Sequence, residues 1–242
     1  MSGLILPVPN KAHYPEVFQS YSRLHYYASL NNSIEINTSF YKIPQSRTLI
    51  KWVDEVPEDF KFSFKLFKEI THQKQLAFDA QLIQAFMKVI NHVGERKGAL
   101  LVQFPPSIKI SQIRQLRHLM ATLRENDPDQ AWDISVEFRH PSLYEDEVYS
   151  ILAEYNIAMV IQDKKEARSP LITTNPRFAY LRFHGPNGNY RGSYDSDTLS
   201  DYASIIRDWL EEERRVYLYF NNTMGEAIAN LKLLRELITV DY

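Results

Sequence analysis

The chain contains no cysteine, so disulfides, thiol nucleophiles and cysteine-ligated zinc are all excluded. It has no basic surplus either. A formal charge of −2 argues against a protein that holds nucleic acid by bulk charge, because composition forces no basic face. A local basic cleft is compatible with that balance, so nucleic acid stays open as a partner without support from net charge. Glycine is scarce, seven in 242 residues, and no stretch spells a P-loop or another phosphate fingerprint. No run reaches 18 apolar residues, which leaves no membrane span and no membrane partner to expect. The opening MSGLILPVPNKAHYP is too short and too proline-broken for a signal peptide, so the expected location is cytoplasmic. No linker or low-complexity stretch divides residues 1–242, which read as a single domain.

What the chain does carry is eight short apolar runs, most of them ending in a charged or amide side chain. They are LILPV (4–8), SIEIN (33–37), FKFSFKL (60–66), ALLVQF (99–104), DISVEF (133–138), AMVIQD (158–163), FAYLRF (178–183) and VYLYF (216–220). Helical patterns fit 21–31, 47–56, 78–93, 111–126, 145–156, 199–214 and 226–238, with Ser111 as an N-cap for its helix. Strand-helix alternation at this length predicts a (β/α)8 TIM barrel, a fold of about 250 residues. Between 164 and 177, KKEARSPLITTNPR shows no long helix, so the sixth crossover is expected to be short or irregular. The longest irregular loops are 67–77 and 184–198, and long loops at the catalytic end of a barrel usually carry function.

Alternation within the runs sorts the side chains by face. Phe60, Phe62, Phe64 and Leu66 oppose Lys61, Ser63 and Lys65, while Ile134, Val136 and Phe138 oppose Ser135, Glu137 and Arg139. Ile34 and Ile36 oppose Glu35 and Asn37, and Ala179, Leu181 and Phe183 oppose Tyr180, Arg182 and His184. Helices cover the outside of a barrel, so the apolar sets belong outside and the polar sets in the lumen. Gln103, Asp163 and Asn221 join the inward group at the ends of their runs. Lys65, Arg139 and Arg182 then face Glu35, Glu137 and Asp163. Buried charge without a partner costs several kcal/mol, so these groups must pair or face a wet pocket. One reading is a structural ion-pair network at the barrel mouth. The other is a ligand or catalytic site, which explains better why charge replaces apolar filling. Tyr217 and Tyr219 read as lumen packing, and Trp52 as a packing anchor.

Three of the seven glycines lie in HGPNGNYRG (184–192), and NNTMG (221–225) precedes the last helix. Loops at this place in barrels often bind phosphate. Asn222 or Thr223 would cap the helix and leave backbone N–H groups facing the pocket. The alternative is that Gly185, Gly188 and Gly192 simply make turns. His72 sits within reach of the rim, as general acid or base or as a loop-tethering hydrogen bonder. Tyr190 and Tyr194 are exposed-loop candidates for stacking.

The stretches EINTSFYKIP (35–44), KW (51–52), FKFSFKLFKEITH (60–72), LLVQFPPS (100–107), VEFRHPS (136–142), LRFHG (181–185) and YLYFNN (217–222) resemble the DUF72, or YecE-like, family. They follow that family's order. The resemblance implies a TIM barrel, but no reaction, because the family is one of unknown function. A relation to metal-dependent barrel endonucleases and sugar isomerases exists at the level of fold only, as analogy. The family pattern falls here on Glu35, Asn37, Phe40, Tyr41, Lys65, Thr71, His72, Gln103, Pro105, Glu137, Arg139, Arg182, His184, Gly185, Asn221 and Asn222. Its usual opening, a strand like Gly-Thr-Ser-Gly-Trp, is replaced by LILPVPNKAHYP (4–15), so the first strand is altered.

Three functions compete. The first is acid/base catalysis, as in an isomerase or hydrolase, on a small phosphorylated or carboxylated substrate. Lys65, Arg139 and Arg182 would hold the anion, Glu35 or Glu137 would be base, His184 acid, and Asn37, Gln103, Asp163, Asn221 and Asn222 would line the site. The second uses Glu35, Glu137, Asp163 and His184 to hold a divalent metal in a phosphodiesterase or nuclease. The third is a barrel that binds a ligand without converting it.

Overall fold

The structure is a computed structural model, and it describes residues 1–239. Seven parallel strands are hydrogen-bonded in chain order: β1 (Ser33–Ile36), β2 (Lys61–Lys65), β3 (Lys97–Gln103), β4 (Asp133–Glu137), β5 (Ala158–Gln162), β6 (Phe178–Phe183) and β7 (Arg215–Phe220). Helices α1 (Arg23–Leu30), α2 (Ser46–Asp54), α3 (Lys68–Thr71), α4 (Ala80–Ile90), α5 (Ile113–Glu125), α6 (Asp146–Glu154), α7 (Ser196–Glu211) and α8 (Ala227–Thr239) accompany them. The result is a nearly closed α/β barrel. No helix among the described residues is long and apolar enough to cross a membrane.

The expected first strand at 4–8 does not form. Pro7 lacks the N–H a ladder needs, and Leu4 and Ile5 pack against the outer core instead. Its place is taken by Met1–Gly3. The Ser2 amide donates to the Phe220 carbonyl at 3.0 Å and the Gly3 amide to the Glu35 carbonyl at 2.9 Å. Ser2 pairs in parallel with Glu35, so these few residues span the seam between β7 and β1. The sixth crossover is irregular as expected, with one short turn at Lys165–Ala167. Its missing helix leaves a cavity of about 210 Å³ against α7, lined by Gln162, Ser169, Thr198 and Tyr202 among others.

Helix starts follow local chemistry. Ser22, Asp79 and Asp195 accept the amides of His25, Gln81 and Thr198 and so satisfy otherwise bare N–H groups. Ser111 does not cap α5, because a 3-10 turn over Ile110–Gln112 precedes that helix and Gln112 stands at its N-cap. Outward aromatics lock the outer layer to the sheet: Phe62 stacks on Trp52 of α2 at 6.1 Å, and Phe64 meets Trp132, just before β4, edge-on at 5.9 Å.

Inside the barrel, Ala99, Leu101, Val160, Tyr180 and Tyr219 form a separate packed cluster with Tyr217 at its margin. Tyr217 and Tyr219 are therefore packing residues, as their parity implied. The register pairs Val160 with Tyr180 and Gln162 with Arg182, which puts Val160 and Gln162 on the lumen face. Parity for this run was thus off by one: Asp163 lies beyond the strand end, and Gln162 is the inward residue. Phe64 is fully buried in the outer core. Phe64→Ala should cost about 3–5 kcal/mol of stability by urea denaturation, and a loss under 1 kcal/mol would contradict this packing.

Candidate functional site

The centre of the site is Arg182, buried near the carboxyl end of β6. Its Nε donates to Glu35 Oε2 at 3.0 Å and its Nη2 to Glu35 Oε1 at 2.8 Å, a two-pronged grip on β1. Its Nη1 donates to Glu137 Oε2 on β4 at 2.5 Å. One guanidinium thus ties three strands across the lumen. Burial alone would favour its discharge, but Glu137 and Glu35 hold it more firmly protonated.

Glu35 is saturated. Besides Arg182, its oxygens accept from Ser2 Oγ at 2.6 Å, Tyr180 OH at 2.6 Å and Asn37 Nδ2 at 3.2 Å. Burial works against its charge, yet Arg182 and these donors keep its carboxyl below the usual range. Glu137 shows the same balance: burial opposes ionisation, and Arg139 and Arg182 outweigh it. Its Oε1 lies against Arg139 Nη2 and 3.8 Å from His184 Nε2, without accepting a well-oriented hydrogen bond.

His184 is buried, and its Nε2 stands 3.2 Å from Arg139 Nη2 and 3.3 Å from Arg182 Nη1. Guanidinium groups only donate, so Nε2 must accept and the proton belongs on Nδ1. Burial, and the two arginines after it, hold this ring below the ordinary histidine range, against the pull of Asp163 and Glu137. Asp163 stands behind it, accepting the His184 amide at 2.7 Å, with Nδ1 3.4 Å from the same oxygen. His184 is therefore a neutral acceptor towards the lumen, not the protonated acid the sequence pointed to.

Lys65 is the exception among the lumen cations. Its Nζ donates to Gln103 Oε1 at 2.7 Å and lies 4.1 Å from the centre of the Phe40 ring. Among the described residues no carboxylate oxygen lies within 4.0 Å of it. Both carboxylates are taken by the arginines. Burial and then Arg182 lower its pKa to about 8. Ser39, in the turn that follows β1, accepts the Lys65 amide at 3.2 Å and so sets Phe40 beside the amine.

The remaining expected residues divide. Asn37 reaches the cluster through Ser2 Oγ at 2.6 Å and through Glu35. Asn221 is half-buried at the rim, its amide bonded to the Phe183 carbonyl. Asn222 is turned away: its Nδ2 binds the carbonyl of Gly192 and Oδ1 of Asn230. His72 is exposed, edge-on to Phe40 at 5.0 Å, with Thr71 Oγ1 2.8 Å from its Nδ1. The amides of Met224, Gly225 and Glu226 are occupied by the carbonyls of Tyr190, Asn222 and Gly192. They are not free for phosphate. Gly185 and Gly225 allow this backbone packing, since an added Cβ at either would sit 2.3 Å from a carbonyl oxygen. Tyr194 is buried rather than exposed; its hydroxyl binds Asp163 and receives the Gly185 amide. Tyr190 does stay near the mouth, 5.5 Å from the His184 ring.

Among the described residues no three His, Asp or Glu side chains are arranged to hold a metal ion. The sequence reading missed Ser2, Gln162 and the clamp role of Tyr194. Ser2 lay outside the runs read as strands, and no motif pointed to it.

The family model described as "Protein of unknown function DUF72" matches residues 8–242. The chain belongs to the DUF72 family. This DUF72 chain is 27% identical to the UPF0759 protein YunF of Bacillus subtilis (strain 168), over 95% of this chain and 91% of that one. It is 26% identical to the UPF0759 protein YecE of Escherichia coli (strain K12), over 58% of this chain and 50% of YecE. Among solved structures, a DUF72 protein of Enterococcus faecalis V583 superposes with a TM-score of 0.79 at 24% identity, covering 91% of this chain and 90% of that one. A DUF72 protein of Thermotoga maritima MSB8 gives 0.68 at 24% identity, covering 100% and 97%. These structures establish the fold.

Arg182→Met should destabilise by about 3–5 kcal/mol, since it leaves two buried carboxylates without their cation. Depressed carboxylate pKa values contribute stability that is complete above the unfolded glutamate value of about 4.3 and fades as pH falls below it. The wild type should lose stability on that acid side. A variant as stable as wild type across pH 3–7 would refute the bridge.

Proposed function

We propose that the barrel mouth binds a small anionic substrate, phosphorylated or carboxylated, and acts on it by acid/base chemistry. The observation that carries this reading is the charge count at the inner mouth. Two arginines, Arg139 and Arg182, stand against two carboxylates, Glu35 and Glu137; the third carboxylate, Asp163, is turned to His184 and Tyr194, so Lys65 is left over as one surplus cation beside the glutamates. Arg139 Nε is buried and has no hydrogen-bond partner. A buried donor left bare costs about 1–3 kcal/mol, so a ligand oxygen there would be welcome. An anion between Lys65 and Arg139 neutralises the surplus and meets that donor.

The roles of the individual groups follow from their surroundings. Glu35 is too fully engaged to take a proton and serves as a fixed counter-charge. Glu137 keeps one oxygen, Oε1, without a well-oriented donor, but two guanidiniums make it a weak base. Lys65 is the group suited to proton transfer near neutral pH, whereas His184 Nε2, engaged by the same two guanidiniums, helps to position them. Gln103 orients the Lys65 amine. The metal-hydrolase reading loses ground because its carboxylate ligands are held by Arg182, and His184 Nε2 faces two cations.

Sulfate, phosphate or citrate should raise the thermal midpoint of the wild type. At about one hundred times Kd the gain is roughly 2.7 kcal/mol, worth about 5–10 °C in a domain of this size. The shift should shrink as pH rises through about 8, where Lys65 loses its proton. It should vanish in Lys65→Met and weaken in Arg139→Met. An equal shift in Lys65→Met, or none with any anion in the wild type, would dismiss the reading.

A further inference from the structure

The anion reading leaves open why the surplus cation is a lysine whose amine is wedged between an amide and an aromatic face. We propose that Lys65 is a Schiff-base lysine, and that the substrate class is an aldehyde or ketone bearing a carboxylate or phosphate. This inference rests on the anion-binding reading of the same site and names its substrate more narrowly.

The geometry supports it in three ways. A lysine kept only for charge is usually met by a carboxylate, whereas Lys65 has none within ion-pair distance, because Arg139 and Arg182 occupy both glutamates. Among the described residues its one hydrogen-bond partner is Gln103 Oε1, which takes up one N–H and leaves the others for a ligand to meet. Burial, and after it the Arg182 guanidinium, disfavour the ammonium form against the pull of Glu137 and Glu35; proximity to other cations and partial desolvation are the usual means of making a lysine nucleophilic. Arg139, with its bare Nε, stands near enough to interact with Lys65 electrostatically and can hold the anionic end.

The step balances without any further reactant. The neutral amine attacks the carbonyl carbon, a C–N bond forms, and the C=O π pair moves onto oxygen. A proton passes from nitrogen to that oxygen to give the carbinolamine. A second proton, the one the lysine shed on becoming an amine, lets the oxygen leave as water while C=N forms. From ammonium plus carbonyl to iminium plus water, charge is conserved. The iminium keeps the positive charge that the bound anion requires, and it acidifies the adjacent C–H for isomerisation or carbon–carbon bond chemistry.

Glyoxylate and glycolaldehyde phosphate, each with cyanoborohydride, are the probes. The first tests a carboxylate and the second a phosphate. Reduced adducts on the intact wild-type protein are mapped by peptide mass. Lys65 should be modified roughly tenfold faster than exposed lysines such as Lys51 and Lys88 at pH 7.5, since an ordinary lysine with a pKa near 10.4 is almost wholly protonated there. Excess sulfate should slow Lys65 and leave the exposed lysines unaffected. Adducts confined to exposed lysines would overturn the proposal. If sulfate still stabilises the protein in that case, only the Schiff base fails; if it does not, the anion site fails with it. Lys65→Met, checked for folding by circular dichroism, should lose the protected adduct alone.

Discussion

Everything at the mouth of this barrel depends on one guanidinium bridging two buried carboxylates. Arg182 spends its donors on Glu35 and Glu137, which belong to strands on different sides of the lumen. That choice determines the state of the neighbours. It leaves Lys65 without a counter-ion, and with Arg139 it makes His184 accept through Nε2. With the hydroxyls of Ser2 and Tyr180 it also keeps the Glu35 carboxyl below its usual range, against burial.

The lumen is layered by chemistry. At the amino-terminal end Asp133 holds Tyr217 and Arg215. Above them tyrosines and small apolar side chains fill the middle, with Ser63 bonded to Tyr219 at 2.9 Å. The arginine–glutamate cluster occupies the carboxyl-terminal layer, opposite the Arg215–Asp133 pair at the other end. Buried ion pairs add little net stability over well-packed apolar residues, so the tyrosine layer below shows what the mouth would hold if packing were its only task. The apolar plug also keeps water from the underside of the ion cluster, which strengthens each interaction within it.

Much of this was legible in the residues. Alternation located Glu35, Lys65, Glu137, Arg139, Arg182 and His184 on the lumen face because each lies within or just beyond a regular strand. It failed at Asp163, because Val160 and Gln162 carry the inward face of β5 and Asp163 has the opposite parity. It also failed at residues 4–8, because apolar composition was read as a strand although proline interrupts the ladder. The pairing within the cluster was not legible at all. Alternation gives a face, but not which carboxylate an arginine will take, and that depends on register between strands far apart in sequence. Likewise Tyr194 looked like a loop tyrosine until Asp163, from another loop, proved to be its partner.

Arg182 reaches Glu35 across 147 positions of sequence and Glu137 across 45. Contacts of such separation form only after a large loop-closure entropy has been met. Both glutamates precede their cation in the chain, so neither can be met by Arg182 until β6 has joined them. The bridge from Arg182 to the two glutamates is thus a property of the whole barrel, since it needs β1, β4 and β6 together.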